Sequence, residues 1–451
     1  MVYAFNSIHD RAPLWDHLRR LVGHVSGPWA IAGDFNCVLS ATERIGGNTP
    51  STEIEPFRQC VADCGVIEIA AIGSLFTWNN KQKPKERIYS MIDRFLINKD
   101  WCEHMPDLYA HFLPEGLLDH TPCIVSSSKS TQGKRCFKYF NMWGGAKDFL
   151  PTVRSNWDNY LAGTHTFKLA KNLKNLKPAL KRLNREGYND IEHSTSRLQK
   201  QVHDLQEQIG KNPTDVQLIT AEYEASQGLK KLCIARDSYL AQKAKHTWMK
   251  EGDTNSSYFH GLLKKRRNGN RVIMIEDMNG NMCDNPEQVQ AAFLDYYMKL
   301  HGTKQETSRI HKKIIDQGPR CREEHHAILL RPVTGEEIRA TVFSIPDIKS
   351  PGPDGYTSKF VTDDWNEIGG EVINAVKDFF NTRQLLKQMN ATNLTLIPKC
   401  DRPQNVLQFR PIACCNVVYK IISKLLCARL AEVLPSLIDH NQGAFIQNRS
   451  I

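Results

Sequence analysis

The stretch PWAIAGDFN, residues 28–36, alternates apolar and small residues and ends in an acid and an amide. A repeat of two is the side-chain period of a β-strand, so this stretch predicts a strand with a polar end. Similar runs follow as LFTWNN (75–80), RIYSMIDRFLI (87–97) and TPCIV (121–125). Turn residues separate these runs, so we expect residues 1–126 to form a sheet-rich domain.

Residues 127–271 carry longer, helical patterns. Apolar residues recur at intervals of four, three and four at Leu198, Val202, Leu205 and Ile209. Gly210 and Pro213 interrupt the repeat, which resumes from Leu218. Intervals of three and four place side chains on one face of a helix, so we predict two helices folded back as a hairpin, or a short coiled coil.

Residues 272–451 mix both kinds of pattern. GGEVINAVKDFFNT (369–382) and NVVYKIISKLLCARLAEVL (416–434) predict amphipathic helices, whereas NLTLIPK (393–399) predicts a strand. Asp363-Asp364 precedes the first of these helices, and we expect it to cap that helix. The three stretches together predict a multidomain chain of the α/β and α+β classes.

The charge balance suits a polyanionic partner. The formal net charge is +10, and Lys264, Lys265, Arg266 and Arg267 form a run without an acid. This run is either a solvated face or a nucleic-acid contact, and the sequence leaves both open. The 13 cysteines include no CxxC pair, and no apolar run approaches the length of a membrane span. No signal-peptide pattern is present at the N-terminus, so we expect an intracellular chain without a membrane partner.

Acids and one histidine lie at the ends of the predicted strands. Asp34 and Asn36 stand two residues apart, so on a continuing strand they would face the same side. Asp93 and the pair Asp119-His120 follow at later strands. One Asp could ligate a hard cation such as Mg²⁺. Another could orient the His, which would stabilise charge on a phosphate or activate water.

These motifs, in this order, resemble the endonuclease/exonuclease/phosphatase family. The resemblance is greatest to the apurinic-endonuclease-like nuclease of plant LINE-type (non-LTR) retrotransposons, and it covers the C-terminal part of that domain. It implies part of a β-sandwich with helices, cleavage of a DNA target and a Mg²⁺ cofactor. Tyr3 matches the family's active-site tyrosine, and Thr77-Trp78 matches its FTW strand.

The resemblance also assigns roles to the strand-end residues. Asp34 would position or deprotonate the attacking water, and Asn36 would contact the phosphate. Asp93 would orient the catalytic His120, and Asp119 would assist metal binding. Together with Tyr3, these five residues are candidate members of one catalytic site.

Two departures from the family pattern predict weak nuclease activity. The family usually has Ser before the Asp-His pair, whereas this chain has Leu118. The family's principal metal-binding Glu lies upstream of the tyrosine motif, and this chain begins two residues before Tyr3. We therefore expect an internal piece of a retrotransposon polyprotein that does not nick DNA efficiently.

The third stretch resembles the opening motifs of a LINE reverse transcriptase. The matching segments are KSPGPDGYTSKF (349–360), LTLIPKC (394–400), FRPIACCNVVYKIISKLLCARL (409–430) and NQGAFIQNRSI (441–451). They imply the fingers and the start of the palm, with Lys399 and Arg410 facing the template or the triphosphate. The family's metal-binding palm aspartates would follow Ile451, so we expect no DNA synthesis by this chain alone.

The middle stretch resembles the segment that joins nuclease and polymerase in plant LINE proteins. HTWMKEGDTNSSYFHGLLKKRRNGNRV (246–272) carries a W…GD.N…H pattern before the basic run, and that run is expected to touch template RNA or target DNA. Three functions follow as alternatives: an inactive relic, a nuclease that works when complemented, or a non-enzymatic RNA- and DNA-binding protein. A nuclear location is expected from the family, and the oligomeric state is left open.

Overall fold

The computed structural model describes residues 1–47, 51–105, 107–127, 136–244, 271–304, 307–400, 402–444, 446 and 449. The chain forms two compact units. The first comprises 1–133, 255–305 and 396–412, and the second comprises 134–254, 306–395 and 413–451. Helices are mixed with several small sheets, as expected for a multidomain α/β and α+β chain. None of the described helices has the length and apolar character needed to cross a membrane.

Short strands and helices alternate early in the chain, and longer helices follow. Residues 1–127 contain β1 (Val2–Tyr3), α1 (Ile8–Val22), β2 (Ala30–Asp34), β3 (Arg44–Ile45), α2 (Ser51–Asp63), β4 (Ile67–Glu68), β5 (Ala70–Gly73), β6 (Trp78–Asn79), β7 (Tyr89–Ser90), β8 (Asp93–Ile97), α3 (Lys99–His104), β9 (Leu108–Phe112) and β10 (Cys123–Ser127). Residues 136–244 contain α4 (Phe149–Ser155), α5 (His165–Gly187), α6 (Ile191–Lys211) and α7 (Val216–Ala244). The remainder contains β11 (Ile275–Glu276), β12 (Met282–Cys283), α8 (Pro286–Gly302), α9 (Lys312–Gln317), α10 (Glu323–Leu330), α11 (Gly335–Phe343), α12 (Ser358–Asp363), α13 (Trp365–Thr382), α14 (Lys387–Asn390), β13 (Thr392–Pro398), β14 (Phe409–Cys415) and α15 (Val417–Leu437).

Three sheets form from residues 1–127 of the first unit. The largest has the order β1-β2-β8-β4, in which β1 is parallel to β2 and the other neighbours are antiparallel. The order β10-β9-β5 forms a second sheet, and β3-β7-β6 forms a third. The sheet elements expected in the four runs of residues 28–36, 75–80, 87–97 and 121–125 are thus confirmed.

The core of the first unit lies where α1 and α2 meet the largest sheet. Trp15 of α1 stacks on Phe57 of α2 with ring centroids 4.8 Å apart, and Phe35 stacks on Phe57 at 5.0 Å. Phe35 directly follows β2 and is fully buried. Burial of three aromatic rings contributes a large part of the hydrophobic stabilisation of this unit. It also holds the end of β2 in place.

The second unit is mainly helical. Its core joins the inner face of α5 to α11, α12, α13 and α15. The predicted helical hairpin is confirmed as α6 and α7, with the break between Lys211 and Val216. The predicted helices at 369–382 and 416–434 are confirmed within α13 and α15, and the predicted strand at 393–399 is β13, which pairs with β14.

The expected cap at Asp364 is wrong. Asp364 occupies the N-cap position of α13 but makes no side-chain capping bond. Its backbone has φ −98° and ψ 13°, whereas a capping side chain requires extended backbone to reach the first free N–H groups. The carboxylate instead lies in the interior, 1% exposed, and neither oxygen has a hydrogen-bond partner among the described residues.

Candidate functional site

The site lies where β1, β2 and β8 end side by side. Asp34 is directly opposite Asp93 in the antiparallel pair of β2 and β8, and Tyr3 is opposite Asp34 in the parallel pair of β1 and β2. Gly33 has φ +139°, and a Cβ there would lie 1.9 Å from the carbonyl oxygen of Val2. Only glycine therefore lets β1 approach β2 this closely.

One imidazole lies between two carboxylates at this edge. The Nδ1 atom of His120 is 3.0 Å from Asp93 Oδ2, and its Nε2 atom is 4.0 Å from Asp34 Oδ2. His120 also forms an isolated bridge with Trp78 of β6. The backbone of His120 is thus fixed by a neighbouring strand while its ring faces the ends of two others.

Thr77 holds the backbone of Asp93. The hydroxyl of Thr77 accepts hydrogen bonds from the backbone N–H groups of Ile92, at 3.0 Å, and of Asp93, at 2.9 Å. Thr77 is fully buried, and its carbonyl oxygen accepts from the N–H of Thr121, next to His120. One residue therefore fixes the positions of both members of the Asp93–His120 pair.

The Asp34 carboxyl is buried, and this changes its acidity. Burial raises the pKa of Asp34, and the like charge of Asp93 acts in the same direction. The backbone N–H of Asn36, which donates to Asp34 Oδ1 at 2.7 Å, opposes this rise, as do His120 and Arg11. The raised pKa makes Asp34 a better proton acceptor than an exposed aspartate at neutral pH.

Asn36 does not lie on the continuing strand on which it would share a face with Asp34. The strand ends at Asp34, and Asn36 has φ +47°. The side-chain amide of Asn36 donates to the carbonyl oxygen of Ala4 at 2.7 Å. The backbone carbonyl oxygen of Asn36 accepts a hydrogen bond from Arg11. The expectation of a shared face is wrong, because a turn rather than a strand joins Asp34 to Asn36. The Asn36 amide nitrogen thus ties this turn to the segment after β1.

Among the described hydrogen bonds and ion pairs, none joins the side chain of Tyr3 or Asp119 to Asp34, Asp93 or His120. The Asp119 carboxylate accepts a hydrogen bond from Trp78 Nε1 at 3.3 Å. Tyr3 is 81% exposed. Leu118 is 62% exposed, so its side chain faces solvent and does not fill the position of a small polar residue beside His120.

The expected Mg²⁺ requires several oxygen ligands around one point. Within the part of the chain that the structure describes, no three side chains of His, Cys, Asp or Glu converge to hold a metal ion. Mg²⁺ is held by carboxylates in octahedral geometry, with the remaining positions filled by waters or phosphates. The described residues therefore include no dedicated cage of three such side chains for a metal ion.

Sequence reasoning missed two arginines beside the site. Arg94, directly after Asp93, is buried and donates to the carbonyl oxygen of Met91 at 3.1 Å and to Glu43. Arg402 donates to the carbonyl oxygen of Ser74, and one of its nitrogens lies 3.5 Å from the Met91 sulfur. The IDRFL motif contains Arg94, but nothing in the sequence indicates that Arg402 lies close to Met91.

The reverse-transcriptase-like candidates lie elsewhere. Lys399 folds back so that its Nζ donates to the carbonyl oxygen of Leu407 at 2.7 Å. Arg410, on β14, is exposed. The predicted basic run Lys264–Arg267, with the motif around it, lies outside the described residues.

The comparisons with known proteins give one similarity. No family model matches the chain. The chain is 22% identical, over 473 aligned residues, to an uncharacterized 149 kDa protein of transposon TX1 from Xenopus laevis. The alignment covers 100% of this chain and 35% of the relative, so the chain spans about a third of the length of the curated protein it matches. This similarity agrees with the resemblance to a transposon protein that the motifs indicate.

Proposed function

We propose that the chain is part of a LINE-type retrotransposon protein, and that Asp34, Asp93 and His120 belong to the site with which that protein cleaves DNA phosphodiesters. The similarity to a transposon TX1 protein supports the origin. The order of the GDFN, FTW, IDRFL and DH motifs supports a partial endonuclease/exonuclease/phosphatase fold. The observation that supports the site most directly is that the imidazole of His120 lies between the carboxylates of Asp34 and Asp93 at the ends of two paired strands.

In this proposal Asp93 determines which atom of His120 meets the substrate. A carboxylate can only accept, so Nδ1 carries the proton in the 3.0 Å contact with Asp93. The opposite nitrogen, Nε2, then faces Asp34 and the open side of the site. A protonated Nε2 donates to a phosphoryl oxygen and stabilises the charge that develops there.

Asp34 accepts the proton from the attacking water. Burial raises its pKa, so that the carboxylate holds a proton more readily than an exposed aspartate would. The N–H of Asn36 fixes one carboxylate oxygen, Oδ1, and leaves Oδ2 facing His120. In this proposal the attacking water contacts Asp34, and the phosphate it attacks contacts His120 Nε2.

Phosphodiester binding at this site is tested by the His120 ring signals. With ¹³C-labelled histidine, we expect a thymidine dinucleotide to shift the His120 signals while the exposed His24 signals stay fixed. D93N should reduce the shift, because the ring loses the carboxylate that orients it. A His120 signal that stays fixed while other histidine signals move would contradict the assignment of the site.

Catalysis by this chain alone is tested separately. We expect relaxation of supercoiled plasmid in Mg²⁺ to be no faster than with H120A or D34A, because the described residues bring no three His, Cys, Asp or Glu side chains together to hold a metal ion. H24A serves as the control. Nicking that both site variants abolish and H24A leaves intact would overturn the proposed inactivity and would support the site itself.

The later motifs, in the same proposal, form the fingers part of a reverse transcriptase, which acts on an RNA template at a DNA target in the nucleus. Four motifs in the family's order support this. The exposed Arg410 is assigned to the template or triphosphate, because guanidinium binds phosphate through two parallel hydrogen bonds. A primer-extension assay with Mg²⁺ should give no product. Extension by the wild-type chain that R410A reduces would overturn the expected lack of synthesis.

A further inference from the structure

Helix α5 of the second unit has two opposite faces of different chemistry. Its buried positions are Thr166, Leu169, Asn172, Leu173, Leu176, Ala179, Leu180 and Leu183. Five cations are exposed on the same helix: Lys171, Lys174, Lys181, Arg182 and Arg185. At about 100° per residue, these cations fall within an arc of about 100° centred opposite the buried face. We call them the α5 basic face.

The α5 basic face has few acids near it. Glu186 is the only acid in the 23 residues of α5. Across the described ranges, no salt bridge joins any of the five cations to a carboxylate. The acids that meet α5 do so elsewhere, since Glu371 contacts the buried Asn172 and Asp378 contacts the backbone at Thr166. The five charges are therefore available to a partner.

Keeping five like charges together costs stability through mutual repulsion. Like charges four residues apart on a helix destabilise it by a few tenths of a kcal/mol per pair. The helix compensates through its buried leucines, and Thr164 caps its N-terminus by accepting from the N–H of Phe167. Because the cations do not support the fold, a ligand accounts for them better than packing does.

The dimensions of the α5 basic face fit one strand of nucleic acid. Lys171 and Arg185 are fourteen positions apart, which is about 21 Å along a helix. A duplex strand has one phosphate per about 3.4 Å of axis, so this face spans about six nucleotides. No aromatic residue of α5 lies between Lys171 and Arg185, so this stretch offers charge to the backbone and no stacking surface to bases. The exposed Phe167 lies one turn before it.

We propose that the α5 basic face binds the phosphate backbone of a nucleic-acid duplex, without regard to base sequence. This inference deepens the proposed function by adding a nucleic-acid surface. It does not depend on the Asp34–His120–Asp93 cluster. Lys177 is excluded from the face, because it is half-buried over the Phe137 ring, 5.4 Å from the centroid.

The test compares two variants of the full chain with the wild type. In the first, the five cations of the face are replaced by Gln, which keeps helix propensity. In the matched control, five exposed cations of the neighbouring hairpin are replaced: R197Q, K200Q, K211Q, K230Q and K231Q. Binding to a labelled 30-base-pair DNA of arbitrary sequence is measured by fluorescence anisotropy across a series of NaCl concentrations.

We expect the face variant to bind more weakly at low salt. The slope of log K against log [NaCl] should flatten by up to about 4.5, because each phosphate that is no longer neutralised removes about 0.9 from it. The control should keep the wild-type slope. The face variant should also keep the shift of the His120 signals by the thymidine dinucleotide, which separates this inference from the nuclease proposal. If the face variant melts at a lower temperature than the wild type, K181Q/R182Q repeats the test with an expected flattening of about 1.8.

Three results would overturn the inference. The first is a face variant whose salt slope equals that of the wild type. The second is an equal loss of slope in the hairpin control, which would show that net charge alone governs binding. Stronger binding of the wild type to vesicles of anionic lipid than to the duplex would assign the face to a membrane surface and would also overturn it.

Discussion

Asp364 is a buried carboxylate without a hydrogen-bond partner among the described residues. Burial raises its pKa to about 7, with Asp363 and Glu367 acting in the same direction. The folded state therefore binds this proton more tightly than the unfolded chain does. The contribution of Asp364 to the free energy of unfolding therefore falls as the pH rises from about 4 to about 7.

Replacing Asp364 by Asn should remove this pH dependence. We expect D364N to be more stable than the wild type at pH 8, by up to about 4 kcal/mol, because the buried charge is absent. At pH 3.5 the two should differ by less than about 1 kcal/mol. Urea unfolding followed by tryptophan fluorescence at both pH values measures this. D204N, at an exposed position of α6, is the control, and an equal gain there would contradict the explanation.

Arg94 balances the charge of two carboxylates next to the candidate site. Its guanidinium is fully buried and faces the carboxylates of Glu43 and Glu68. A charge removed from a buried ion pair leaves its partners in a medium that solvates them poorly. The stability of the strand that carries Asp93 therefore depends on this residue.

R94M should destabilise the first unit by about 3–5 kcal/mol, since two carboxylates lose the buried cation they face. R58M, which breaks the exposed pair with Glu55, should cost less than about 1 kcal/mol. Both are measured by urea unfolding. Similar losses of unfolding free energy in the two variants would show that the buried ion pairs of Arg94 stabilise the fold no more than an exposed pair does.

The contact between Asp93 and His120 could be predicted from the sequence motifs, whereas the residues that surround the contact could not. The order of IDRFL and DH indicated the pair, and the structure places the two side chains 3.0 Å apart. The turn at Asn36 depends on a positive φ, and the presence of an asparagine in a sequence does not show that its φ is positive. The contact of Arg402 with the carbonyl of Ser74 joins residues 328 positions apart, beyond any local pattern.

At the scale of elements, apolar periodicity predicted the positions of the helices, whereas capping residues did not predict the start of α13. The repeat at residues 198–209 predicted α6, and the break at Gly210 and Pro213 predicted its end. Asp364 failed as a cap because α12 runs into α13 without an extended residue between them. Local sequence indicates which residues can cap a helix, but the backbone between two helices decides whether they do.

The Pro- and Gly-rich turn at 349–356 is a packing junction of the second unit. Gly355 has φ +82°, and a Cβ there would lie 2.2 Å from the carbonyl oxygen of Phe137. Asn416 accepts from the N–H of Asp354 at 3.1 Å and donates to the carbonyl oxygen of Met389 at 3.2 Å. The turn therefore links the segment before α4 to the start of α15.

G355A should destabilise the second unit by about 2–4 kcal/mol, from left-handed strain and the collision with Phe137. G210A is the matched control, because Gly210 lies in α6 with no atom within 4 Å of an added Cβ. That change should stabilise by about 0.5–1 kcal/mol. Thermal unfolding distinguishes the two, and equal effects would refute the packing role of the turn.

At the scale of the whole molecule, the first unit is assembled from distant parts of the chain. Arg271 donates to the carbonyl oxygens of Asp107 and Leu108, at 3.1 and 3.3 Å. Arg402 lies over the Phe112 ring, 5.1 Å from its centroid, and donates to Ser74. The predicted division at 126/127 and 271/272 stays a prediction, but these contacts tie later residues to the nuclease-like part.

R402A should loosen β5 and β9, because the Ser74 carbonyl and the Phe112 ring lose a half-buried cation that contacts both, at a cost of about 2 kcal/mol. Hydrogen exchange of the amides of residues 70–73 and 108–112 should accelerate. R410A, an exposed arginine eight positions later, should leave these amides unchanged. Equal exchange in the two variants would show that Arg402 does not anchor this sheet.

The discontinuity of the first unit sets an order of events on the ribosome. Residues 1–127 emerge first, but Arg402 emerges 275 positions after Ser127, and at about 5–20 residues per second that delay is about 14–55 s. During this interval β10 presents an edge strand on which Ile124 and Val125 are already exposed in the finished fold. Nascent chains of this protein thus spend tens of seconds with an incomplete first unit, which is the period in which chaperones would be needed most.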